Sequence, residues 1–456
     1  MGQQPGCFPE KGNIYMRQFT CVFLILAMLL AISGCASPTE EAGPDTIPAE
    51  SSTQSLEGFI QADASAGPVS LSSMVAKKEA SLSLSAEDEI FFSIGDLGRG
   101  LLLRAGGDNP VISPLSAWLA LAMAAEGAGG KTQEEFTAML GGDPKELEKA
   151  AAALEKEFQN GNDENNVFAT ANSAWVDHRS KILKSYLDVL VSSYNADVFA
   201  AALPTEETVK AVNSWVSEKT HGLIPDMLSD PPDPATALIL INTLYMKAKW
   251  LSSFDKNDTY DREFILESGS PVTVPFMHAF GNMSYLKGDG YTGIVLPYQN
   301  GTASFVALKP DGISVKDLLE KLDGSTVSSL VRSASERRVS LALPKLDTDY
   351  TMNMASDLAS LGIPSAFDPS TADFSGMGTG AGGAPLFIGN VLQKVKVIVD
   401  EGGTEAAAAT MIDMKATGAV DPESAVDLTF DEPFIYLITD RASCTPLFMG
   451  IVTNPS

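Results

Sequence analysis

The sequence predicts an α+β fold. Apolar residues recur at helical spacing mainly in the first half of the chain, while period-two and continuously apolar runs dominate the second half. No βαβ unit repeats, and no internal repeat is present.

The chain has 456 residues, of which 45% are hydrophobic and 20% charged, the balance of a globular protein. The length exceeds the ~250–300 residues at which single cores stop growing, so segments outside one core are expected. The formal net charge of −27 argues against nucleic acid or anionic headgroups as partners, and there is no basic run. Of the four cysteines, Cys7, Cys21 and Cys35 lie near the N-terminus and only Cys444 lies in the body. A mature domain with one cysteine has no internal disulfide and no cysteine zinc site. His178, His221 and His278 lack metal-ligand spacing, so no metal and no cofactor are expected.

Lys11 and Arg17 precede an apolar run over 19–32, the length of a signal-peptide core and short for a spanning helix. It ends in Ile32-Ser33-Gly34-Cys35, the pattern of a lipoprotein signal in which Cys35 is lipidated and becomes the mature N-terminus. Residues 1–34 read as that signal, with ordinary secretory cleavage nearby as the other reading and Met16 as a candidate start. The domain is then extracytoplasmic and anchored to the cell membrane or envelope, or secreted if the lipid signal is not used. Residues 35–85, rich in Ser, Thr, Glu, Pro, Ala and Gly, read as a flexible tether.

The folded body is expected from residue 86. A first helix covers 90–97. Ser113 or Ser116 caps a second, through Trp118, Leu119, Leu121, Ala122 and Met123, which is apolar nearly all round and therefore buried. Thr132-Gln133-Glu134-Glu135 reads as a helix start with a capping box. Strand 167–176, helices 181–194 and 205–219, and a long strand 237–249 follow. That strand holds Asn242, whose buried amide needs a partner such as the Ser113 and Ser116 hydroxyls. Shorter strands are read at 272–277, 293–296, 304–308 and 339–343, with helices at 315–322 and 352–361. Residues 376–383 read as a glycine-rich flexible loop, and 434–438 and 447–452 as closing strands.

A strand read over 391–399 leads into Glu401, Gly402, Gly403, Thr404, Glu405, Ala406, Ala407, Ala408, Ala409 and Thr410. Sorted by strand alternation, one face of 404–417 carries Thr404, Ala406, Ala408, Thr410, Ile412, Met414 and Ala416 and has no charge. The other face carries all three charges, on Glu405, Asp413 and Lys415. This is the pattern of a half-buried strand in a place where a loop is expected; an Ala-rich helix or a solvated linker is the competing reading.

No Gly-x-Ser-x-Gly elbow, phosphate loop, dinucleotide fingerprint or His-Glu-x-x-His occurs, so a hydrolase is not favoured and no catalytic residues are assigned.

Several separated motifs resemble the serpin family, in the family's order, over residues 86–456. These are Asn109 with Ser113-Pro114-Leu115-Ser116, then Asn242, Tyr245, Lys247, Trp250 and Phe254, then Leu343-Pro344-Lys345, Leu361-Gly362-Ile363 and Ala372-Asp373-Phe374-Ser375-Gly376. The stretch from Glu401 to Thr410 matches the family's hinge, and Pro446-Leu447-Phe448-Met449-Gly450 with Asn454-Pro455 its C-terminal signature.

The resemblance, to a bacterial or archaeal lipoprotein-type member, implies mixed multi-stranded sheets, eight or nine helices and an exposed reactive loop over about 402–429. It implies a monomeric suicide inhibitor of a serine endopeptidase, with a cysteine endopeptidase as a variant and a non-inhibitory binding module as the alternative. The loop is cut, the protease is trapped as an acyl-enzyme, and the loop inserts into a sheet. The small hinge side chains suit that insertion, since bulky or charged ones resist burial. Counting fourteen positions from Gly403 places the cut at Thr417–Gly418, which fits an elastase-like or other small-residue pocket. Gly418 to Thr429 is longer than in many members, so Lys415–Ala416, for a trypsin-like target, and Met414–Lys415 stay open. Lys345 and Glu401 match a pair pinning the strand top, and Ser113, Ser116 and Asn242 match a cluster at the sheet's opening, where Gln393 stands for the usual histidine.

Overall fold

The computed structural model describes residues 53–56, 59–62, 64, 67–72, 89–160, 166–299, 301–404 and 425–456. All lie in one compact unit, Ile47–Ser456. The signal segment, Cys35, the hinge from Glu405 to Thr410 and the candidate bonds Met414–Lys415, Lys415–Ala416 and Thr417–Gly418 lie outside the described residues.

The first half runs β1 (Thr53–Leu56), β2 (Phe59–Ala62), β3 (Val69–Ser70), α1 (Glu89–Leu102), β4 (Val111–Ile112), α2 (Pro114–Ala125), α3 (Gly130–Leu140), α4 (Pro144–Asn160) and β5 (Val167–Asp177). Next are β6 (Lys181–Leu183), α5 (Lys184–Ser193), β7 (Ala196–Ala201), α6 (Glu206–Lys219) and β8 (Leu238–Lys249). Strands then dominate: β9 (Thr259–Ile265), β10 (Pro271–Gly288), β11 (Tyr291–Pro297) and β12 (Ala303–Pro310). After α7 (Val315–Lys321) and α8 (Gly324–Ser333) come β13 (Ser335–Pro344), β14 (Leu346–Asn353), α9 (Ala355–Leu361) and β15 (Gly378–Thr379). The chain closes with β16 (Leu392–Asp400), β17 (Gly403–Thr404), β18 (Val426–Thr429), β19 (Phe434–Asp440) and β20 (Pro446–Val452).

Among the described residues these strands form three sheets. A seven-stranded central sheet has the order β14-β16-β17-β8-β5-β7-β3. A nine-stranded sheet has the order β18-β13-β10-β11-β12-β19-β20-β4, with β9 on β10, and a four-stranded sheet is β1-β2-β6-β15. Helix α2 packs against both β8 and β20, between the two large sheets. That position is why its residues are buried on every side, and it matches the all-round apolar sequence. Ser113 is its N-cap, accepting from Ser116 N–H at 3.2 Å, with Pro114 in the first turn, where a missing N–H is harmless.

Five expectations are corrected. The capping box at Thr132 does not form: α3 starts at Gly130, and the Thr132 hydroxyl accepts the Asp373 N–H at 3.0 Å. Lys181 to Leu183 form β6, so the helix read over 181–194 begins at Lys184. Met352 belongs to β14, and only Ala355–Leu361 is helical. The glycine-rich segment is not free where β15 pairs with β6. There Gly378, at φ +135°, brings its backbone so close that a Cβ would meet Lys181 O at 2.1 Å. The tether reading of 35–85 also fails where it is described. Here β2 pairs with β6 and β3 with β7, and Ala64, Val69 and Leu71 are buried. Sparse apolar residues without periodicity hid short edge strands that gain their partners from the body.

Candidate functional site

The centre of interest is where β17 enters the central sheet. Thr404 pairs with Val399 of β16 on one side and Ala248 of β8 on the other. Below this point β16 and β8 share no ladder among the described residues. A small opening with room for about one water molecule lies there, lined by Leu244, Tyr245 and Met246 of β8, Lys396 and Val397 of β16, and Thr404. Leu223 and Ile224, beyond α6, and Phe448 of β20 also border it. The central sheet is thus parted by a strand that is only two residues long.

The top of the parting is heavily bonded. The Trp250 indole N–H donates to Asp400 O at 2.8 Å, its backbone N–H donates to Gly402 O at 3.0 Å, and Phe254 N–H donates to Glu401 O at 3.0 Å. The Trp250 ring stacks on Tyr298 at 4.7 Å and meets Phe305 edge-on at 5.7 Å. The Asp400 carboxylate accepts from Gly402 N–H at 2.8 Å and Gly403 N–H at 3.3 Å, which fixes the turn into β17. Gly403 has φ +149°, and a Cβ there would meet Ala248 O at 2.0 Å, so β8 excludes a side chain.

Lys345 Nζ lies 3.0 Å from Glu401 Oε2, pinning the end of β13 to the turn. Burial pushes the Glu401 carboxyl up. Its own backbone N–H and the Lys345 ammonium outweigh this and hold it below the usual carboxylate range.

The chain's family follows from a match to the serpin (serine protease inhibitor) model over residues 95–455. The chain belongs to the serpin family. Among curated relatives, it is 28% identical to an uncharacterized serpin-like protein of Thermococcus kodakarensis, over 95% of this chain and 98% of that one. It is 32% identical to Iripin-8 of Ixodes ricinus, over 75% and 87%. A "Serine protease inhibitor" of Cyanea capillata is 33% identical, over 78% and 95%. The crystal structure of the thermophilic serpin Tengpin in its native state superposes with a TM-score of 0.78 at 32% identity, covering 85% of this chain and all of Tengpin. Tengpin in its latent state gives 0.70, covering 83% of this chain. One protein in two states therefore separates conformation from relatedness, and this chain lies nearer the native form. Serpins are protease inhibitors acting on target proteases, not catalysts.

In this serpin the four residues expected at the sheet opening divide into two sets. The Gln393 side-chain amide and the Ser113 backbone exchange two bonds: Ser113 N–H donates to Gln393 Oε1 at 3.0 Å, and Gln393 Nε2 donates to Ser113 O at 2.9 Å. Asn242 does not bond the Ser113 or Ser116 hydroxyls through its amide, as the sequence leads one to expect. Its Nδ2 donates to Asn172 Oδ1 at 2.6 Å, and only its backbone carbonyl accepts from Ser116 Oγ, at 3.4 Å. The N-terminus of α2 therefore ties to β16 through Ser113 and to β8 through Ser116, spanning the parting from below. Asn242 Oδ1 is buried with no hydrogen-bond partner among the described residues.

Three residues of the site are missing from the sequence reading. Tyr298, fully buried, places its hydroxyl 2.6 Å from Thr404 Oγ1. Asp400 shapes the turn. Asn172 bridges β5, β8 and α5 by donating from Nδ2 to Tyr194 O at 2.6 Å. Of these, only Asn172 leaves a trace in sequence: like Asn242, it is an amide inside a buried-looking strand, and the two are register partners.

Proposed function

We propose that this serpin is a suicide inhibitor of a serine endopeptidase that acts by inserting its own cut loop into the parted central sheet. The single observation carrying this is Thr404, held between β8 and β16 at the head of a parting where, among the described residues, those two strands share no ladder. Continuing its register antiparallel to both neighbours brings Ala406 and Ala408 into the parting. It brings Thr410 level with Asn242 and Gln393, each six residues from the partners of Thr404. Ala248, Met246 and Asn242 share the core-facing side of β8, and Val399, Val397, Val395 and Gln393 that of β16. The uncharged face of 404–417 would then meet the core, and the Thr410 hydroxyl would reach the level of the orphaned Asn242 Oδ1.

In the reaction, the protease serine attacks the Thr417 carbonyl, the bond to Gly418 breaks, and the new amine leaves with residues 418–456. An ester joins Thr417 to the protease. Inserting 404–417 as a strand adds on the order of ten to twenty hydrogen bonds at ~0.5–1.5 kcal/mol each. That is comparable to the ~5–15 kcal/mol stability of a domain and large enough to drag a tethered protease. The small Thr417 side chain favours an elastase-like target; Lys415–Ala416 would serve a trypsin-like one. We further propose that a monomer acts outside the cytoplasm, held to the membrane through lipidated Cys35.

The test is to mix the purified chain with elastase-like and trypsin-like proteases. An SDS-resistant covalent band with a released peptide beginning at Gly418 is the expected result. Cleavage with no covalent band and no gain in thermal midpoint would overturn it.

A further inference from the structure

The insertion described above would stabilise an uncut loop as well, so a suicide inhibitor must delay it until a protease cuts. The delay depends on how the far end of the loop is fastened. That end is β18, and β18 alone is a weak anchor. It stands at the edge of the nine-stranded sheet and, among the described residues, pairs on one side only. Its four residues run parallel to β13, from Val426 opposite Val339 to Thr429 opposite Ala342. Parallel pairing is slightly the weaker kind.

The base of β18 is fastened from a different strand. Lys309, near the end of β12, donates from Nζ to Thr429 O at 2.8 Å and to Asp431 Oδ1 at 2.7 Å, and lies 3.2 Å from Glu432 Oε1. One ammonium thus faces an acceptor for each of its three protons. The Lys309 side chain is only 22% exposed, so solvent and salt weaken this cluster less than they weaken a surface pair. The main chain closes the same point. Phe430 N–H donates to Ala342 O at 2.9 Å, and Ile265 N–H donates to Asp431 O at 2.8 Å. The Phe430 ring is fully buried, with its centre 5.0 Å from that of Phe434.

Chain length makes this base decisive. Inserting Thr404 to Thr417 carries the chain thirteen steps down the sheet. Nine steps lead back from Thr417 to Val426, and thirteen to Phe430. The base of β18 belongs to the head of the sheet, because Ala342 is three residues from Lys345, which pairs with Glu401 at 3.0 Å. An uncut loop can therefore insert fully only after β18 has peeled from β13 as far as the Lys309 cluster. A cut loop needs no such release, since residues 418–456 are no longer joined to the inserting strand.

Building on the inhibitory reading above, we propose that Lys309 is a lock on the uncut loop. It holds the base of β18 to β12, slows insertion before cutting and leaves insertion after cutting unaffected. Lys309 is a positioning residue: it acts through β18 and not on the cut bond.

The test compares three purified, uncut chains. The first is unaltered. The second is Lys309→Met, which keeps the unbranched stem and removes the charge. The third is Asp431→Asn/Glu432→Gln, which keeps the lysine and removes its carboxylates. All are held at one temperature below their melting midpoints. Conversion is followed as the growth of a fraction that is uncut, resists cleavage in the loop and melts at a higher temperature. The stoichiometry of covalent trapping is measured on fresh samples with the elastase-like and trypsin-like proteases.

Lys309→Met is expected to convert about tenfold faster than the unaltered chain, and the double variant to convert faster by a smaller factor. Deuterium exchange at the Phe430 N–H should rise, and trapping by fresh samples should stay the same. Equal conversion rates for Lys309→Met and the unaltered chain overturn the lock, as does the failure of every form to convert before it unfolds. Faster conversion with a matching loss of trapping would make Lys309 a general support of the fold and also overturn it. No covalent complex from any fresh form removes the inhibitory reading, and the conversion rates then decide the lock alone.

Discussion

The hydroxyl of Thr404 lies 2.6 Å from that of Tyr298, a fully buried residue at the end of the strand region that stacks on Trp250. Thr404 is thus held by a side chain from the other large sheet, through a phenol that burial keeps neutral. The loop's entry is a bonded position, not a frayed end.

Tyr298→Phe removes that bond and leaves the buried Thr404 hydroxyl without its phenol partner. A loss of about 1–2 kcal/mol is expected, read as a lower denaturant midpoint with unchanged slope. A change below about 0.3 kcal/mol would mean that the contact adds nothing to stability.

Thr404→Arg places a charge between two packed strands, at a site only 4% exposed. The chain should become a substrate: the loop is cut at the same bond, but the covalent band is lost. Persistent trapping by this variant would argue against insertion along the Thr404 register.

Gly403→Ala tests the same entry from the backbone. Its φ of +149° and the 2.0 Å approach to Ala248 O leave no room for a methyl group. The Gly403–Lys249 pair should separate, at a cost on the order of 2–4 kcal/mol. Deuterium exchange at Ala248 and Lys249 should rise in the variant.

The entry could be read in the sequence to unequal degrees. Alternation over 404–417 revealed a strand pattern in a loop position, because period two is a local property. The buried helix α2 was equally plain, since an apolar surface all round has no solvent side. The partners of Asn242 were not legible. Its amide finds Asn172, and its neighbour across the parting, Gln393, finds backbone on α2; both pairings depend on which strands become adjacent. Strand β14 (Leu346–Asn353) also went unread, because only Leu346, Tyr350 and Met352 in it are apolar. Strands β2 and β3 misled for the opposite reason: the composition around them is that of a linker, and their partners β6 and β7 lie in the body.

Lowering the pH should loosen the top of the parting. The Glu401 carboxyl is held below its ordinary value in the folded chain, so its contribution is present above the unfolded value, ~4.3, and is lost as pH falls through the folded value. Lys345→Met should lessen that acid sensitivity, since the ammonium is one of the groups lowering the carboxyl, and cost about 1 kcal/mol at pH 7, because Lys345 is partly solvated. Unfolding curves at pH 3.5 and pH 7 for both forms would show it; parallel losses in the two forms would contradict it.

Glu126 should act in the opposite sense. It sits at the C-terminal end of α2, where the helix dipole disfavours an anion, and accepts the Tyr194 hydroxyl at 2.7 Å. Burial raises its carboxyl to about 8. The Tyr194 bond opposes the rise, and the charges of Glu148 and Asp143 add to it. A raised folded value means that this contribution is complete below the unfolded ~4.3 and is lost as pH climbs to about 8, because only the unfolded chain ionises in that window. Glu126→Gln keeps an oxygen for Tyr194 and cannot ionise. It should therefore be more stable than the unaltered chain at pH 8.5, by on the order of 3 kcal/mol, and equal to it near pH 4.5. Urea unfolding at the two pH values checks this. A variant no more stable at pH 8.5 would mean that Glu126 ionises freely where it stands.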